Sequence, residues 1–565
     1  MKTGASQRTD KRLARAVFLL LLAVYTATFN GLPGGPDGEV AFQTTSSLWR
    51  TGSLSLRGTP EAEGLIEFAR SQPPGGFSVR AGEGERANRF YGWYGIGQAI
   101  VALPFYGVGR IVGHFADGIQ GAHENHTRFD VVRSEYFEHL FVGWRNPVLA
   151  ALTAVLVALM VRRLGLSPAT ALVAGLGYGL ASFAWPQARG SLSDVQGTFF
   201  VAWSLYLLLQ LRQTLNVRLT VLFGVSCAFV FLTRVSLAPA VLLFDLAFLW
   251  LVFELRKPRF KEEGRLSTSK VLMLALMPQI GALVLWMGLN YLRFADPLDS
   301  GYGLALAGGL FGSNPLQGLL GLLISPGRGL LWMAPVLLLT GYGVSWARRE
   351  KELNFVWLVL LLSASVLLPL VFMRGWHGAW SFGPRYLLPA LPGLWTVAAC
   401  GFQRSDVEIG LRPAVHFLLG VGLLIQLPGV LVDTVTYHDL AVQAAPGNLA
   451  VGASAEASDQ AAAEFDAIQF DWGFAAPWAH WRILRHRVAH SGQGAVTSET
   501  FAAQEIFLCT SDLEVRPTQP RERGFRHLAW VDLSERLQGS IWPAVAMIIL
   551  CALLGIVAIA GGLEP

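Results

Sequence analysis

Charge is what this chain lacks most. Only 15% of its 565 residues are Asp, Glu, Lys or Arg, against about 25% in an ordinary soluble protein. Three of the four cysteines, Cys227, Cys400 and Cys551, lie inside apolar blocks, so no disulfide framework is available. A Gly-x-Ser-x-Gly elbow and a Gly-x-x-x-x-Gly-Lys loop are both missing, which removes the usual signatures of serine hydrolases and P-loop nucleotide enzymes. The block Ala16 to Phe29 is followed by no small-x-small cleavage site, so it is expected to stay as a first helix.

Long apolar runs are abundant. Hydrophobic residues make up 53% of the chain and mean hydropathy is +0.44. Many of the runs approach the ~20 residues that cross a bilayer core, which predicts an all-α polytopic membrane protein with ~12–13 transmembrane helices. The net charge of +5 does not indicate nucleic acid. Its basic residues cluster between apolar blocks, at Lys11–Arg15, Arg162–Arg163, Arg256–Arg259 and Arg348–Lys351, as cytoplasmic loops do under the positive-inside rule.

Counting sides from those clusters divides the chain into a transmembrane module, 1–430, with a first outer loop 31–92, an outer segment 431–538 and a last transmembrane helix within 539–565. Val40 to Leu56 reads as an amphipathic helix on the membrane surface. Of Ala14–Asn30, Trp93–Val112 and Leu140–Val161, one is expected not to span. Asp37, Glu39, Asp194, Arg234, Arg293 to Tyr302, Arg328 and Arg374 to Arg385 all fall on the outer side. Chemistry is therefore expected at that surface.

The polar constellations there are few. Pro36-Asp37-Gly38-Glu39 places two carboxylates one residue apart, suited to a general base or to a divalent cation; a solvated turn is the plainer reading. Trp376 to Tyr386 mixes aromatics with His377 and Arg385, and a guanidinium at the head of a membrane helix calls for a partner such as phosphate. Arg293 to Tyr302 and Ser325-Pro326-Gly327-Arg328-Gly329 add two further outer loops. His123-Glu124-Asn125-His126 lacks metal-site spacing, and the glycines at 107, 109, 175, 177 and 179 suit close helix packing.

Four stretches carry a resemblance: Asp37-x-Glu39; Tyr94-Gly95-Ile96-Gly97-Gln98 through Leu103-Pro104-Phe105-Tyr106; Arg293 through Arg328-Gly329; and Ser381-Phe382-Gly383-Pro384-Arg385-Tyr386. Together they resemble the bacterial polytopic glycosyltransferases of the GT-C superfamily, akin to protein mannosyltransferases and aminoarabinose transferases. The Lys-Pro-Pro that often follows the first loop in those enzymes is replaced here by Tyr94, Gly97 and Gln98, so neither specific activity carries over. The resemblance implies a GT-C-like fold with amphipathic helices in its outer loops. It also implies inverting transfer from a polyprenyl-phosphate sugar to a hydroxyl of a glycan, lipid or protein acceptor, at the periplasmic face of a bacterial inner membrane. Asp37 would be the base, with Glu39 its partner, and both are candidate ligands of a divalent metal ion. Arg328 and Arg385, then Arg293 and Arg374, would hold the donor phosphate. His377, Tyr386, Tyr94, Gln98, Asp194 and Tyr302 are the expected substrate contacts. A lipid-linked-sugar transporter and a non-catalytic assembly subunit are the rival readings. In the outer segment, Trp472, Trp478 and Trp481 beside His480 and Arg482 suggest either a connector or an acceptor-binding surface.

Overall fold

A computed structural model describes residues 4–31, 36–56, 60–71, 77–116, 135–255, 267–303, 311–378, 381–402, 411–445, 465–490, 499–517, 525, 527–537 and 539–563. The His123–His126 stretch, Trp380 and the Arg256–Lys261 loop lie outside them.

The chain is almost entirely helical. In order it forms α1 (Gly4–Ala27), α2 (Pro36–Thr51), β1 (Ser55–Leu56), α3 (Pro60–Ser71), β2 (Val79–Ala81), β3 (Phe90–Gly92), α4 (Ile96–Phe115), α5 (Tyr136–Arg163), α6 (Pro168–Leu180), α7 (Ala184–Ala188), α8 (Ser193–Leu211), α9 (Val217–Thr233), α10 (Ala238–Leu255) and α11 (Thr268–Phe294). It continues with α12 (Pro315–Ile324), α13 (Leu330–Met333), α14 (Thr340–Arg349), α15 (Leu353–Val371), α16 (Leu391–Cys400), α17 (Leu411–Leu431), α18 (Thr434–Ala444), α19 (Ala476–His490), β4 (Phe501–Ala502), α20 (Ala503–Phe507), β5 (Glu514–Val515), α21 (Ala529–Arg536) and α22 (Trp542–Leu563).

Among the described residues, α4, α5, α10 with its preceding turn, α11, α15 and α17 are long and apolar enough to cross a bilayer, and α6, α9, α12 and α22 are shorter apolar helices. Two expected spans are broken instead. The 330–346 block divides at Pro335 into α13, a 3-10 turn and α14, and the 386–399 block opens as a 3-10 turn, Arg385–Ala390, before α16. A proline has no N–H to give the preceding turn and its ring crowds the carbonyl behind it, so prolines inside these runs shorten the helices. The polar start of α1 is helical too, and Asp10 there meets Arg162 Nε at 2.8 Å.

Glycines set the helix spacing, as the sequence suggested. A Cβ on Gly179 would meet Leu21 and Tyr25, one on Gly177 would meet Leu419, and one on Gly109 would lie 2.6 Å from the Glu138 backbone. α5 lies at the centre, packed on α1, α4, α6 and α8, and α22 returns to pack along α1. The helix expected on the membrane surface over Val40–Leu56 forms instead as α2 over Pro36–Thr51, packed on α4 and on a small antiparallel sheet ordered β1-β3-β2. Ser55–Leu56 fall in β1, and most of residues 40–47 are buried within the protein.

Candidate functional site

At one end of the bundle, the ends of several helices and loops bring together a compact polar group. Its first member is Asp37, in the opening turn of α2, where a carboxylate complements the helix N-terminus. The sheet register supplies the next. Val79 pairs with Gly92, so Ser78 and Trp93 face each other and Trp93 N–H bonds Ser78 O at 3.2 Å. Ser78 Oγ then donates to Asp37 Oδ1 at 3.2 Å, and the Tyr94 hydroxyl is a second hydrogen-bond partner of the same carboxylate. Burial and the nearby Asp37 charge push the Tyr94 phenol well above its ordinary range, so at neutral pH it is a donor. A Cβ on Gly92 would lie 2.6 Å from Val40, and one on Gly95 only 2.2 Å from Leu232 O. Glycine at both positions lets this strand and turn approach α2 and α9.

Across from Asp37 stand two arginines. Arg234 follows the last residue of α9 and pairs with Asp194 in the first turn of α8. Arg385 leads the 3-10 turn before α16 and donates Nη2 to the Tyr386 hydroxyl at 3.0 Å. Both guanidinium groups lie over the Tyr386 ring, at 5.6 and 4.8 Å from its centroid. Gly378, at φ +72°, leaves room for Arg385; a Cβ there would be 3.0 Å from its Cγ. Burial works against the Arg385 charge, but Tyr386, Asp194 and Asp37 outweigh it and hold the guanidinium protonated beyond its ordinary range. Yet Arg385 Nε is buried with no acceptor among the described residues. Tyr302 stacks on Trp93 at 5.1 Å, and burial, then its acidic and phenolic neighbours, push its hydroxyl up to about 12 against the opposing pull of Arg234.

A buried scaffold fixes these helix ends. Arg145 donates to the Gln98 and Ser191 carbonyls at 3.2 and 2.8 Å, and Asn146 donates to Leu192 O at 2.9 Å. Gln196 Nε2 joins Gly97 O and Thr233 Oγ1, both at 2.9 Å. The bonds run just beneath Asp194 and Arg234 and determine where that ion pair stands.

Six expected residues therefore converge: Asp37, Tyr94, Asp194, Tyr302, Arg385 and Tyr386. The others are placed elsewhere, for physical reasons. Glu39 does not join Asp37, because residues two apart on a helix point to different faces; its carboxylate lies 3.0 and 3.1 Å from His139 Nε2 and accepts from Gln43 at 2.9 Å. Gln98 Nε2 is bonded to Ser191 O at 2.9 Å, within the scaffold. Arg293 ties the end of α11 to Gly92 O at 2.9 Å and to Asn290 Oδ1 at 2.7 Å. Arg328, fully buried, donates to the Ser381 and Gly383 carbonyls and to Gln469 Oε1. Arg374 is exposed beside Gly312. His377 lies in the same loop as Arg385, its Nε2 3.4 Å from Asp466 Oδ1.

Ser78, Arg234 and Asp466 were absent from the sequence-derived set. Charge counting puts Arg234 on the outer side but assigns it no role, and nothing in the sequence distinguishes Ser78 or Asp466 from other loop residues. As for a metal, Asp37 is surrounded by hydroxyl donors and by the charge of Arg385, and among the described residues no three His, Cys, Asp or Glu side chains gather as a ligand set. This donor set does not fit a divalent ion held jointly by Asp37 and Glu39.

No family model matches the chain, and no curated protein does. Among solved structures it is similar to ArnT from Cupriavidus metallidurans bound to undecaprenyl phosphate, at 13% identity and a TM-score of 0.45, over 93% of this chain and 77% of that one. It is also similar to the archaeal oligosaccharyltransferase AglB from Archaeoglobus fulgidus in complex with an inhibitory peptide and a dolichol-phosphate, at 12% identity and a TM-score of 0.37, over 80% of this chain and 59% of that one. At these values the likeness concerns the path of the backbone.

Proposed function

We propose that this protein is a membrane glycosyltransferase that moves a sugar from a polyprenyl-phosphate donor to an acceptor hydroxyl at the outer face of a bacterial inner membrane. The observation that carries the reading is Arg385, a protonated guanidinium that feels the Asp37 charge and whose buried Nε has no acceptor among the described residues. A phosphate oxygen supplies that acceptor, and guanidinium suits phosphate better than any other side chain does.

In the reaction, the acceptor hydroxyl gives its proton to the Asp37 carboxylate and its oxygen attacks the anomeric carbon. The bond from that carbon to the phosphate oxygen breaks, and its electron pair leaves with the lipid phosphate. The configuration inverts because there is one displacement. No general acid is required, since a phosphate leaves as a stable anion; the added charge falls to Arg385, placed before the reaction begins. Ser78 and Tyr94 aim the Asp37 carboxylate, and Tyr302 on Trp93 offers an aromatic wall for a sugar ring.

The transporter reading fits less well. Its ionisable residues belong near the bilayer midplane, whereas Asp194 and Arg234 pair at the ends of α8 and α9. The test is sugar transfer in membranes from a radiolabelled pool of polyprenyl-phosphate sugars, wild type against Asp37→Asn at matched expression. Loss of transfer with donor binding retained supports the assignment. Unchanged transfer removes Asp37 from the mechanism, and lipid-linked sugar moving across the bilayer without transfer by either protein favours the transporter.

A further inference from the structure

Where the 376–386 loop meets the segment 465–471, two buried polar atoms remain unused by this chemistry. Asp466 Oδ1 and Trp376 Nε1 each lack a hydrogen-bond partner among the described residues. They are neighbours, and the indole N–H lowers the carboxyl's pKa, yet no hydrogen bond of ordinary geometry joins the two atoms. His377 Nε2, 3.4 Å from the same oxygen, lies beyond the usual hydrogen-bond distance. Burial, reinforced by Arg328, His438 and Arg385, pushes the His377 pKa well down, so the imidazole is neutral and offers Asp466 no counter-charge. A donor and an acceptor left unmade side by side are both costly, and native proteins rarely keep such a pair without a use for it.

The surroundings are rigid and aromatic. Phe465 packs against His377 at 4.7 Å and His438 at 4.6 Å, and Trp376 against Phe470 at 6.1 Å. Gln469 fixes the segment, accepting from Gly327 N–H at 3.0 Å and from Arg328 Nε at 3.2 Å. Gly378, the residue after His377, lies against Arg385, where a Cβ would be 3.0 Å from the arginine Cγ, so this pair adjoins the phosphate side of the site. A hydroxyl donates one hydrogen bond and accepts others at the same oxygen, so it satisfies carboxylate and indole together. An ammonium has no lone pair for the indole N–H.

We infer that Asp466 Oδ1 and Trp376 Nε1 together grip a ring hydroxyl of the donor sugar, which makes the donor hydroxylated, not amino-substituted, at the gripped carbon. The inference rests on the glycosyl-transfer reading above. It also gives the outer segment a direct part in donor choice.

The test uses the full chain in lipid nanodiscs and equilibrium binding of radiolabelled C55 polyprenyl phosphate, bare or carrying a neutral hexose, a neutral pentose or an amino sugar. In wild type, one neutral-sugar lipid is expected to bind at least about 10-fold tighter than the bare lipid phosphate. Asp466→Ala and Trp376→Phe should each abolish that preference while leaving bare-lipid affinity unchanged. Asp466→Asn, which keeps an acceptor, should fall between. A merely structural role would weaken both probes together, and that result overturns the inference. So does a preference that survives Asp466→Ala and Trp376→Phe, or one for the amino-sugar lipid. If wild type binds bare and sugar-bearing lipids equally, the hydroxyl grip falls and the phosphate site stands. If wild type binds neither, the glycosyl-transfer reading falls with it.

Discussion

Asp37 and Glu39 stand one residue apart in the first turn of α2, yet they enter opposite kinds of environment. Glu39 belongs to a closed array between α2, α4 and α5. It meets His139, whose other ring nitrogen lies 2.6 Å from Glu135 O, while the Glu135 carboxylate takes Arg50 and the Tyr106 hydroxyl, which Arg50 Nε also reaches at 3.0 Å. Each charge in that array meets a partner inside the protein. Asp37 faces a group held open: Arg385 keeps a buried Nε without an acceptor among the described residues, and Tyr94 and Ser78 hold the Asp37 carboxylate nearby. Buried charge that is fully paired fixes architecture; buried charge with an unmade bond marks where a ligand completes it.

The sharpest way to break this comparison is to exchange the damage. Asp37→Asn should lower transfer by about 10²- to 10⁴-fold, the usual worth of a general base, while the thermal unfolding midpoint stays near that of wild type. Glu39→Ala should do the reverse. Removing one partner of a buried pair strands the other, at a cost of about 3–5 kcal/mol, so unfolding moves to clearly lower temperature and remaining folded protein keeps its donor affinity. If Glu39→Ala abolishes transfer with no loss of stability, the division between the two carboxylates is wrong. The arginines repeat the contrast more weakly. Arg385→Ala should reduce transfer about 10²- to 10³-fold, as loss of one preplaced donor does. Arg328→Ala should act on stability, because its carbonyl partners would be left buried and unsatisfied at about 1–3 kcal/mol each. Transfer rates and thermal melts on the same four preparations check all of this.

The sequence was informative where composition and helix length decide. Apolar runs gave the all-α membrane architecture, and the glycines within them gave close helix contacts such as Gly177 on Leu419. Charge counting also put Asp37, Asp194, Tyr302 and Arg385 on one side, the resemblance added Tyr94 and Tyr386, and these converge. It could not separate them from Arg293 and Arg328, which occupy the same kind of loop. That difference depends on whether backbone carbonyls happen to meet the guanidinium, and Gly92 O, Ser381 O and Gly383 O come from distant parts of the chain. The Asp37–Glu39 pairing failed for a simpler reason: a turn would have let both carboxylates point one way, and a helix does not. Asp466 was illegible because its meaning depends on Trp376, ninety residues earlier in the chain.

Asp466 gives the smallest effect and the finest distinction, because it extends the open side of the comparison to a residue whose charge opposes folding. Burial raises its carboxyl from 3.8 to about 6, with Trp376 pulling the other way. The folded state thus favours the protonated acid. The stability tied to that preference is complete below pH 4 and is lost as pH rises through about 6, so at pH 7 the protein carries an ionised group that it would hold more cheaply neutral. Asparagine is neutral throughout. Asp466→Asn should therefore melt higher than wild type at pH 7.5, and the gap should close as pH falls through 6 to 4. The full shift corresponds to about 3 kcal/mol; because solvent reaches part of the side chain, on the order of 1 kcal/mol is expected. Thermal melts of both proteins across pH 4–8 in the same nanodiscs measure it. A pH-independent offset, or a variant less stable than wild type at pH 7.5, would place Asp466 among the paired charges with Glu39. A gain in stability joined to a weakened sugar preference is the pattern expected of a group retained for its ligand at the expense of the fold.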